Sequence, residues 1–313
     1  MSTTRAARPT PTVRAGDAGP RRPRVPWRRR VRAALWFVAC VLVSVATVAP
    51  LLWTLVTSLR EPGEILATRG LDLIPDHFTL DNYREALTSV PFGRYALNSM
   101  VIGVAGVVTN LFFGSLAGYA FAKLTFPGRR GLFGTLLASM MIPGIVTMVP
   151  LFLVLRHFPL AGGNDVLGDG GLGFINSFWA VILPGAAGTF AVFFMKQFFE
   201  TLPDDLGEAA RLDGAGEFRI FWQVYLPLVK AGLAVLAVLT FQAGWNNFMW
   251  PLIVLNSEDM MTVQVGLSSF VSNYNTSYGP LMAGTVIASL PVVVVFLIAQ
   301  RWIVEGVAHV GGK

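Results

Sequence analysis

The sequence predicts an all-α integral membrane protein with six transmembrane helices. Apolar residues make up 54% of the chain and charged residues only 13%, about half the charged fraction of an average soluble domain. The apolar residues form six uncharged runs, each of about 20 residues or more, which is the length that a helix needs to cross a bilayer. The six runs are Ala33–Leu59, Ala96–Ala122, Gly131–Leu155, Asn176–Met195, Ala231–Leu255 and Gly279–Ala299.

A basic segment precedes the first run. Residues 1–26 are rich in Arg, Pro, Thr and Ala, and this composition cannot bury enough apolar area to offset its ordering entropy. We therefore expect a disordered basic tail at 1–32 and a membrane domain at 33–313. Ten of the 24 Lys and Arg residues lie in this tail, so the positive net charge of the chain does not indicate a nucleic-acid partner. Four of the arginines border the first run: Arg28, Arg29, Arg30 and Arg32.

The distribution of positive charge predicts the orientation of the chain in the membrane. An even number of runs places both termini on one side. With the N-terminus inside, 19 Lys and Arg residues are cytoplasmic and five are outside, and without the tail the ratio is still nine to five. Cytoplasmic segments carry the excess of basic residues. We therefore expect cytoplasmic N- and C-termini and a cytoplasmic connecting segment at 196–230.

The segment 196–230 is predicted to contain two short helices that meet at a glycine. Pro203-Asp204-Asp205 is typical of a helix start, because acids suit the positive N-terminal end of the helix dipole. Asp213-Gly214 ends this first helix. A second helix is expected from Ala215 to Tyr225, closed by Pro227. Four aromatic residues lie on one face of it, at i, i+3, i+4 and i+7: Phe218, Phe221, Trp222 and Tyr225.

Small side chains surround this glycine and would let a partner approach closely. They belong to Ala209, Ala210, Gly214 and Ala215. Glu208 and Asp213 can order the turn or meet cations of a partner. The segment is therefore interpreted as a docking surface. The alternative is a loop that folds back on its own helices, with the aromatic stripe as local core.

The chain lacks the usual residue patterns of catalysis and ion coupling. It contains no phosphate-binding loop of the Gly-x-x-x-x-Gly-Lys-Ser/Thr type. His77, His157 and His309 lie far apart, so we expect no metal site, no catalytic residues and no cofactor. The single Cys40 excludes an internal disulfide. None of the predicted spans carries an acid or base near its centre, which argues against a proton or sodium relay.

Uncharged polar residues inside the predicted spans are candidates for a solute pathway. The candidates are Asn110 in the second run and Gln242, Asn246 and Asn247 in the fifth. Gln242 and Asn246 lie four residues apart on one helical face, with Trp245 and Trp250 nearby. Such a lining suits a hydroxyl-rich solute, whose groups need hydrogen-bond partners and whose ring faces pack on indoles. Hydrogen bonding between helices and an interfacial aromatic belt explain the same residues equally well.

The stretch Glu208-Ala209-Ala210-x-x-Asp213-Gly214-Ala215, continuing through Phe221 to Pro227, resembles a known motif. It is similar to the cytoplasmic coupling motif of the permease subunits of binding-protein-dependent ABC importers, at its usual place between the fourth and fifth of these spans. Further stretches resemble the carbohydrate-type branch, which is related to the second maltose permease subunit. Among them are Thr79-Leu80-x-Asn82-Tyr83, Tyr119-Ala120-Phe121-Ala122 and Met141-Ile142-Pro143.

The resemblance covers roughly residues 33–313 and implies the six-helix permease fold of type I ABC importers. It implies an ATPase-coupling role for Glu208, Ala209, Ala210, Asp213, Gly214, Ala215, Phe221 and Pro227. It also implies a second permease subunit, a cytoplasmic ATPase dimer and an extracytoplasmic solute-binding protein as partners, in the plasma membrane of a bacterium. The expected solute is a sugar or a related polyhydroxylated compound.

Two other classes of protein fit part of the sequence. A secondary transporter or channel with a six-helix core fits the hydropathy pattern, although the missing intramembrane charges count against it. A membrane assembly or receptor protein without transport activity fits as well, and in that case the coupling motif is accidental.

Overall fold

The computed structural model describes residues 27–67, 74–271 and 276–310, and this part of the chain is built from helices joined by loops. A single isolated β-bridge joins Arg60 and Phe78. The helices are α1 (Trp27–Ser58), α2 (Pro62–Ala67), α3 (Asp81–Thr88), α4 (Phe92–Lys123), α5 (Arg129–Ser139), α6 (Gly144–Arg156), α7 (Phe178–Glu200), α8 (Asp205–Leu212), α9 (Glu217–Leu228), α10 (Lys230–Trp245), α11 (Met249–Val254), α12 (Val263–Ser268) and α13 (Tyr278–Val310).

The first helix begins earlier than the sequence predicts. Residues 1–26 of the expected tail lie outside the described residues, but α1 starts at Trp27, so 27–32 are helical and not part of a disordered tail. Long arginine side chains at the end of a membrane helix can reach the polar interface, so the helix continues past its apolar run. The chain divides into two compact units, Met1–Leu51 and Leu52–Lys313, and the described part of the first is helical.

The number of candidate membrane spans agrees with the predicted six at its upper limit. In the described residues, α1, α4, α7 and Tyr278–Arg301 of α13 are each long and apolar enough to cross a membrane. Two pairs, α5 with α6 and α9 with α10, qualify when each pair is one span, and they are bent by 105° and 82°. The second pair does not coincide with the predicted run Ala231–Leu255, because it begins at Glu217, within the segment 196–230 that is expected to be cytoplasmic.

Prolines explain several interruptions of the helices. The residue before a proline disfavours the α conformation and proline donates no hydrogen bond, so the bend between α5 and α6 falls at Pro143. In α7 a 3-10 turn at Leu183–Gly185 contains Pro184. The fifth predicted run, Ala231–Leu255, is not one helix, because α10 ends at Trp245 and α11 starts at Met249, two residues before Pro251. By contrast, α1 and α13 continue through their prolines.

The helices α4 and α7 pack closely through two glycines of α4. A Cβ atom added to Gly114 would lie 2.7 Å from the Cβ of Ala191, and one added to Gly118 would lie 2.8 Å from the Cβ of Met195. Real Cβ atoms do not approach this closely, so only glycine fits at both positions. The small-xxx-small pattern of α4 therefore serves close helix packing.

Three clusters of buried apolar residues fill the second unit. One joins α4, α10, α12 and α13 around Tyr95 and Trp245. The second joins α4, α7, α9 and α10 around Tyr119 and Tyr225. The third surrounds Trp250, with residues of α4, α6, α7 and α11. The second cluster supports the segment that the sequence interprets as a docking surface.

The close contact of α4 with α7 makes Gly118 intolerant of even one methyl group. The added carbon of Gly118→Ala would lie 2.9 Å from the backbone nitrogen of Lys196, which cannot move aside as a side chain can. We expect a loss of about 1–3 kcal/mol in folding free energy. The measurement is the thermal unfolding of the purified chain in detergent. Gly134→Ala in α5, where nothing lies within 4 Å, is the matched control and should unfold no earlier than wild type. Equal behaviour of the two variants would contradict the packing argument.

Candidate functional site

The predicted helix start and the glycine turn of the docking segment are both confirmed. The helix α8 begins at Asp205 and ends at Leu212, and Gly214 has φ of +79°. The backbone N–H of Ala215 donates to the carbonyl of Ala210 at 3.0 Å, and that of Gly214 to Arg211 at 3.0 Å. These two bonds form a Schellman motif, which requires a left-handed residue at the position of Gly214.

The second helix of the segment differs from its prediction at both ends. It begins at Glu217, not at Ala215, because the glycine turn and its hydrogen bonds occupy 213–216. It also continues through Pro227 to Leu228 and breaks at Val229, so Pro227 does not close it. A π-helical turn at Ile220–Tyr225 widens the helix immediately before the proline, where an N–H donor is missing.

The aromatic stripe of α9 divides into a buried half and an exposed half. Phe221 and Tyr225 are 1% exposed and pack against Tyr119. Phe218 and Trp222 are 61% and 52% exposed, and their rings stack with an interplanar angle of 14°. The local-core interpretation therefore holds for Phe221 and Tyr225, whereas Phe218 and Trp222 remain accessible.

The hydroxyl of Tyr225 holds the beginning of α8 against α9. It accepts a hydrogen bond from the backbone N–H of Gly207 at 3.1 Å and donates to the carbonyl of Pro203 at 3.2 Å. A Cβ at Gly207 would lie 2.9 Å from this hydroxyl oxygen. A glycine in the first turn of α8 is thus required for the tyrosine to reach the backbone.

An ion pair spans the glycine turn and continues into α4. The Nε of Arg211 lies 2.6 Å from Oε1 of Glu217, and the hydroxyl of Tyr119 donates to Oε2 of the same carboxylate at 2.9 Å. The hydrogen bond to Glu217 raises the pKa of the Arg211 guanidinium. The end of α8 is therefore attached to α4 through Glu217.

A second attachment joins the end of α4 to the residue that precedes α8. The Nζ of Lys123 lies 2.5 Å from Oδ1 of Asp204 and 2.6 Å from the carbonyl oxygen of Leu202, and it stands 5.4 Å from the ring centroid of Tyr225. The lysine side chain is only 5% exposed. The hydrogen bond from Lys123 lowers the pKa of Asp204, which stays ionised at neutral pH.

Most of the motif residues are accessible and lie outside the contacts that attach α8 to α4 and α9. Glu208, Ala209, Asp213, Gly214 and Pro227 are exposed, Ala210 and Ala215 are half-buried, and Phe221 is buried. Glu208 also lines a charged cleft of about 600 Å³ between α8 and the 123–126 segment. The structure thus brings the predicted coupling residues together on one loop, with Phe221 as a core anchor.

The candidate pathway residues fall into two groups. Asn110 and Asn247 line one cavity of about 520 Å³ between α4, α7 and α10, whose wall is otherwise mainly apolar. Gln242 and Asn246 are exposed on another side of α10, and Gln264 donates a 3.4 Å hydrogen bond to the side chain of Asn246. The i, i+4 spacing does place Gln242 and Asn246 together, but away from the cavity.

The side chain of Asn110 is occupied by backbone groups. Its amide donates to the carbonyls of Gly185 at 2.6 Å and Gly106 at 3.0 Å, and its oxygen accepts the N–H of Gly188 at 3.1 Å. These groups lie where α7 is interrupted, and Asn110 itself begins a π-helical turn of α4. The residue therefore joins the irregular parts of two spans.

The two tryptophans near the candidate pathway are buried, and the expectation that they contribute an aromatic lining is wrong. The indole of Trp245 donates to the carbonyl of Ala288 at 2.9 Å, and that of Trp250 to Ala180 at 2.9 Å. Hydropathy cannot separate a buried indole from one in a wall, because both pack an apolar ring and satisfy one N–H donor.

Sequence reasoning did not assign a role to Tyr119, Lys123 or Glu217. Their partners are distant in sequence, since Tyr119 lies 98 residues from Glu217 and Lys123 lies 81 residues from Asp204. The one available signal was the position of Tyr119 in a stretch that resembles the carbohydrate branch.

The apolar helices define a membrane protein, and comparison with known proteins identifies its family as one of transport permeases. Residues 110–309 match the family of binding-protein-dependent transport system inner membrane components, and the chain belongs to this family. The chain is 34% identical over 279 residues to the diacetylchitobiose uptake system permease protein NgcG of Streptomyces coelicolor, covering 88% of each. It is 37% identical over 286 residues to the arabinooligosaccharides transport system permease protein AraQ of Bacillus subtilis, covering 90% of this chain and 95% of that one.

A solved structure confirms the fold. A chain of a bacterial ABC transporter involved in import of the polysaccharide alginate superposes with a TM-score of 0.75 at 24% identity, covering 90% of this chain and all of that one. The same kind of transporter in complex with an alginate pentasaccharide-bound periplasmic protein gives a TM-score of 0.64 at 16% identity, covering 88% and 96%. The described helices therefore have the fold of an ABC importer permease.

The occupied side chain of Asn110 predicts a structural contribution that Asn247 lacks. Asn110→Ala leaves two carbonyls and one N–H without this partner inside the bundle, and we expect a loss of about 1–2 kcal/mol in folding free energy. The measurement is the thermal unfolding of the purified chain in detergent. Asn247→Ala is the control, because that side chain lines the same cavity without a hydrogen bond to any described residue. An equal loss in both variants would contradict the role given to Asn110.

Proposed function

We propose that this chain supplies half of the translocation pathway of an importer for a sugar or a related polyhydroxylated solute, with ATP hydrolysed by partner subunits. The exposed, internally braced α8–α9 loop is the observation that carries the proposal. NgcG and AraQ are permease proteins for diacetylchitobiose uptake and arabinooligosaccharide transport. An sn-glycerol-3-phosphate transport permease of Yersinia pestis is 37% identical over 220 residues, which cover 70% of this chain and 73% of that one. They support a hydroxyl-rich solute for this chain.

The chemistry of the α8–α9 loop suits an ATPase partner. Leu212 at the end of α8 is 89% exposed, and the stacked pair Phe218 and Trp222 of α9 is exposed as well. Tryptophan is among the residues that most often dominate the binding energy of protein interfaces. Glu208 and Asp213 of the same loop are also exposed, so its accessible residues combine apolar side chains with negative charge. We infer that the motif residues dock the ATPase on the cytoplasmic side.

The proposed assembly has four further features. A second permease subunit completes the pathway, because one chain supplies only one wall of it. An extracytoplasmic solute-binding protein delivers the solute, and the periplasmic protein of the alginate transporter is a precedent in that system. The excess of basic residues in the inner segments supports cytoplasmic termini in a bacterial plasma membrane. The permease domain is assigned to 33–313, and the basic residues 1–26, which precede α1, are placed outside it.

The coupling role of the loop predicts that Glu208→Lys weakens ATPase binding. Charge reversal in the exposed centre of the surface should reduce affinity about tenfold or more, as for residues that dominate an interface. The measurement is the amount of ATPase that copurifies with the tagged chain from solubilised membranes, together with its ATP hydrolysis.

A matched pair at Gly214 tests the turn itself. Gly214→Val forces a β-branched residue into a left-handed conformation, at a cost of about 1–2 kcal/mol, whereas Gly214→Asn tolerates it. Only the valine variant should lose ATPase. Full ATPase recovery with both Glu208→Lys and Gly214→Val would reject the docking role, and uptake driven by an ion gradient without any ATPase would favour a secondary transporter.

The pathway role of the polar face of α10 predicts a change in transport without a loss of assembly. Asn246→Ala removes an exposed amide that makes only one long side-chain hydrogen bond, so the fold should be retained. Uptake of labelled diacetylchitobiose, arabinooligosaccharides and glycerol 3-phosphate into cells should fall about fivefold or more for whichever of these is carried, since one solute hydrogen bond is worth about 1 kcal/mol. Unchanged uptake and preference would mean that this face has no contact with solute.

A further inference from the structure

We propose that Tyr119 and Lys123, at the end of α4, are the positioning residues through which movement of the α8–α9 loop is transmitted into the membrane bundle. The inference rests on the proposed ATPase-docking function of that loop. It identifies the end of α4, which lies outside the docking motif, as the part of this chain that receives the movement.

The two residues attach the loop at both ends of α8. Lys123 binds Asp204 and the Leu202 carbonyl immediately before the helix, and Tyr119 binds Glu217, which pairs with Arg211 in the last turn of the helix. An eight-residue helix is about 12 Å long. A helix attached at one end can pivot, but one attached at both ends moves with its support. The loop and the end of α4 are therefore expected to move as one body.

Each contact has a buried donor and an exposed acceptor. The Lys123 side chain is 5% exposed and Tyr119 is 2% exposed, whereas the carboxylates of Asp204 and Glu217 are 77% and 45% exposed. Packing fixes the position of Tyr119, whose ring contacts those of Phe199, Phe221 and Tyr225. Both bonds are charge-assisted, which strengthens them, although water reaches their acidic side.

The support of the loop extends deep into the bundle. Gly114 and Gly118 of α4 lie against Ala191 and Met195 of α7 with no free space between them, so a displacement of α4 displaces α7. At the level of Asn110, both helices are irregular and are tied together by that side chain. The first place where this pair of helices can bend is thus the π-turn of α4 and the interruption of α7, beside the 520 Å³ cavity.

The test measures movement of α4 in the assembled complex of this chain with its partner permease and ATPases, in lipid vesicles. Spin labels are attached at Phe113→Cys in α4 and Leu297→Cys in α13, both exposed, in a Cys40→Ser background. Their distance distribution is recorded with and without vanadate-trapped nucleotide. In the otherwise unchanged chain, nucleotide should shift the distribution. Tyr119→Phe and Lys123→Met should each lower the ratio of shifted to unshifted molecules about fivefold or more, the lower range of coupling between sites.

Three controls separate this role from a structural one. Tyr119→Phe retains the packed ring and removes one hydroxyl, so its folding and ATPase content should equal wild type. Lys123→Arg retains the charge and should retain most of the shift. Lys196→Met removes a lysine of α7 that pairs with Glu200 and not with the loop, and it should leave the shift unchanged.

The outcomes distinguish this inference from the proposed function. A full nucleotide-driven shift in both Tyr119→Phe and Lys123→Met would overturn the transmitting role. A reduced shift with normal ATPase content would support it, whereas a reduction equal to that of Lys196→Met would overturn it. Absence of ATPase from the unchanged complex would instead reject the docking function on which the inference rests.

Discussion

The close contact of α4 with α7 is the constraint on which the rest of the structure depends. Gly114 and Gly118 let two helix backbones meet where any side chain would be excluded, and lipid offers no hydrophobic drive for helix association, so such packing has to supply it. The α8–α9 loop is attached to the end of α4, and Asn110 joins α4 to α7 near the cavity. Loop, packed helices and cavity are thus parts of one continuous framework.

The polar side chains inside the bundle follow from a second constraint, that backbone groups in a membrane must be satisfied within the protein. Asn110 binds three backbone groups at the interruption of α7, and the indole of Trp250 binds the carbonyl of Ala180 in the same span. Between α11 and α12, Asn98 binds the carbonyls of Asp259 and Met261, and Asn176 accepts two N–H groups of the 256–257 segment. The interruption of α7 is therefore stable because Asn110 and Trp250 bind backbone groups of this span.

The elements that depend on local chemistry were predictable, and those that depend on distant partners were not. Composition and run length predicted the membrane helices, the acids of the first turn predicted the helix start at Asp205, and Gly214 predicted the turn that ends this helix. The continuation of α9 through Pro227 depends on a π-turn that is packed against Tyr119, about 100 residues earlier in the chain. The burial of Trp245 depends likewise on α13. A stripe of aromatic residues shows that a face is apolar, but not which of its members will be covered.

The distribution of charge indicates how such a chain can be driven. The predicted spans carry no acid or base near their centres, so proton or ion binding inside them has no side chain to act on. A ligand shifts a conformational equilibrium only by its difference in affinity for the two states. In this chain, four charged residues meet at the end of α4: Lys123, Asp204, Glu217 and Arg211. A partner that binds the α8–α9 loop therefore acts on the contacts best placed to bias the bundle, and the rigid α4–α7 pair carries that bias to the cavity.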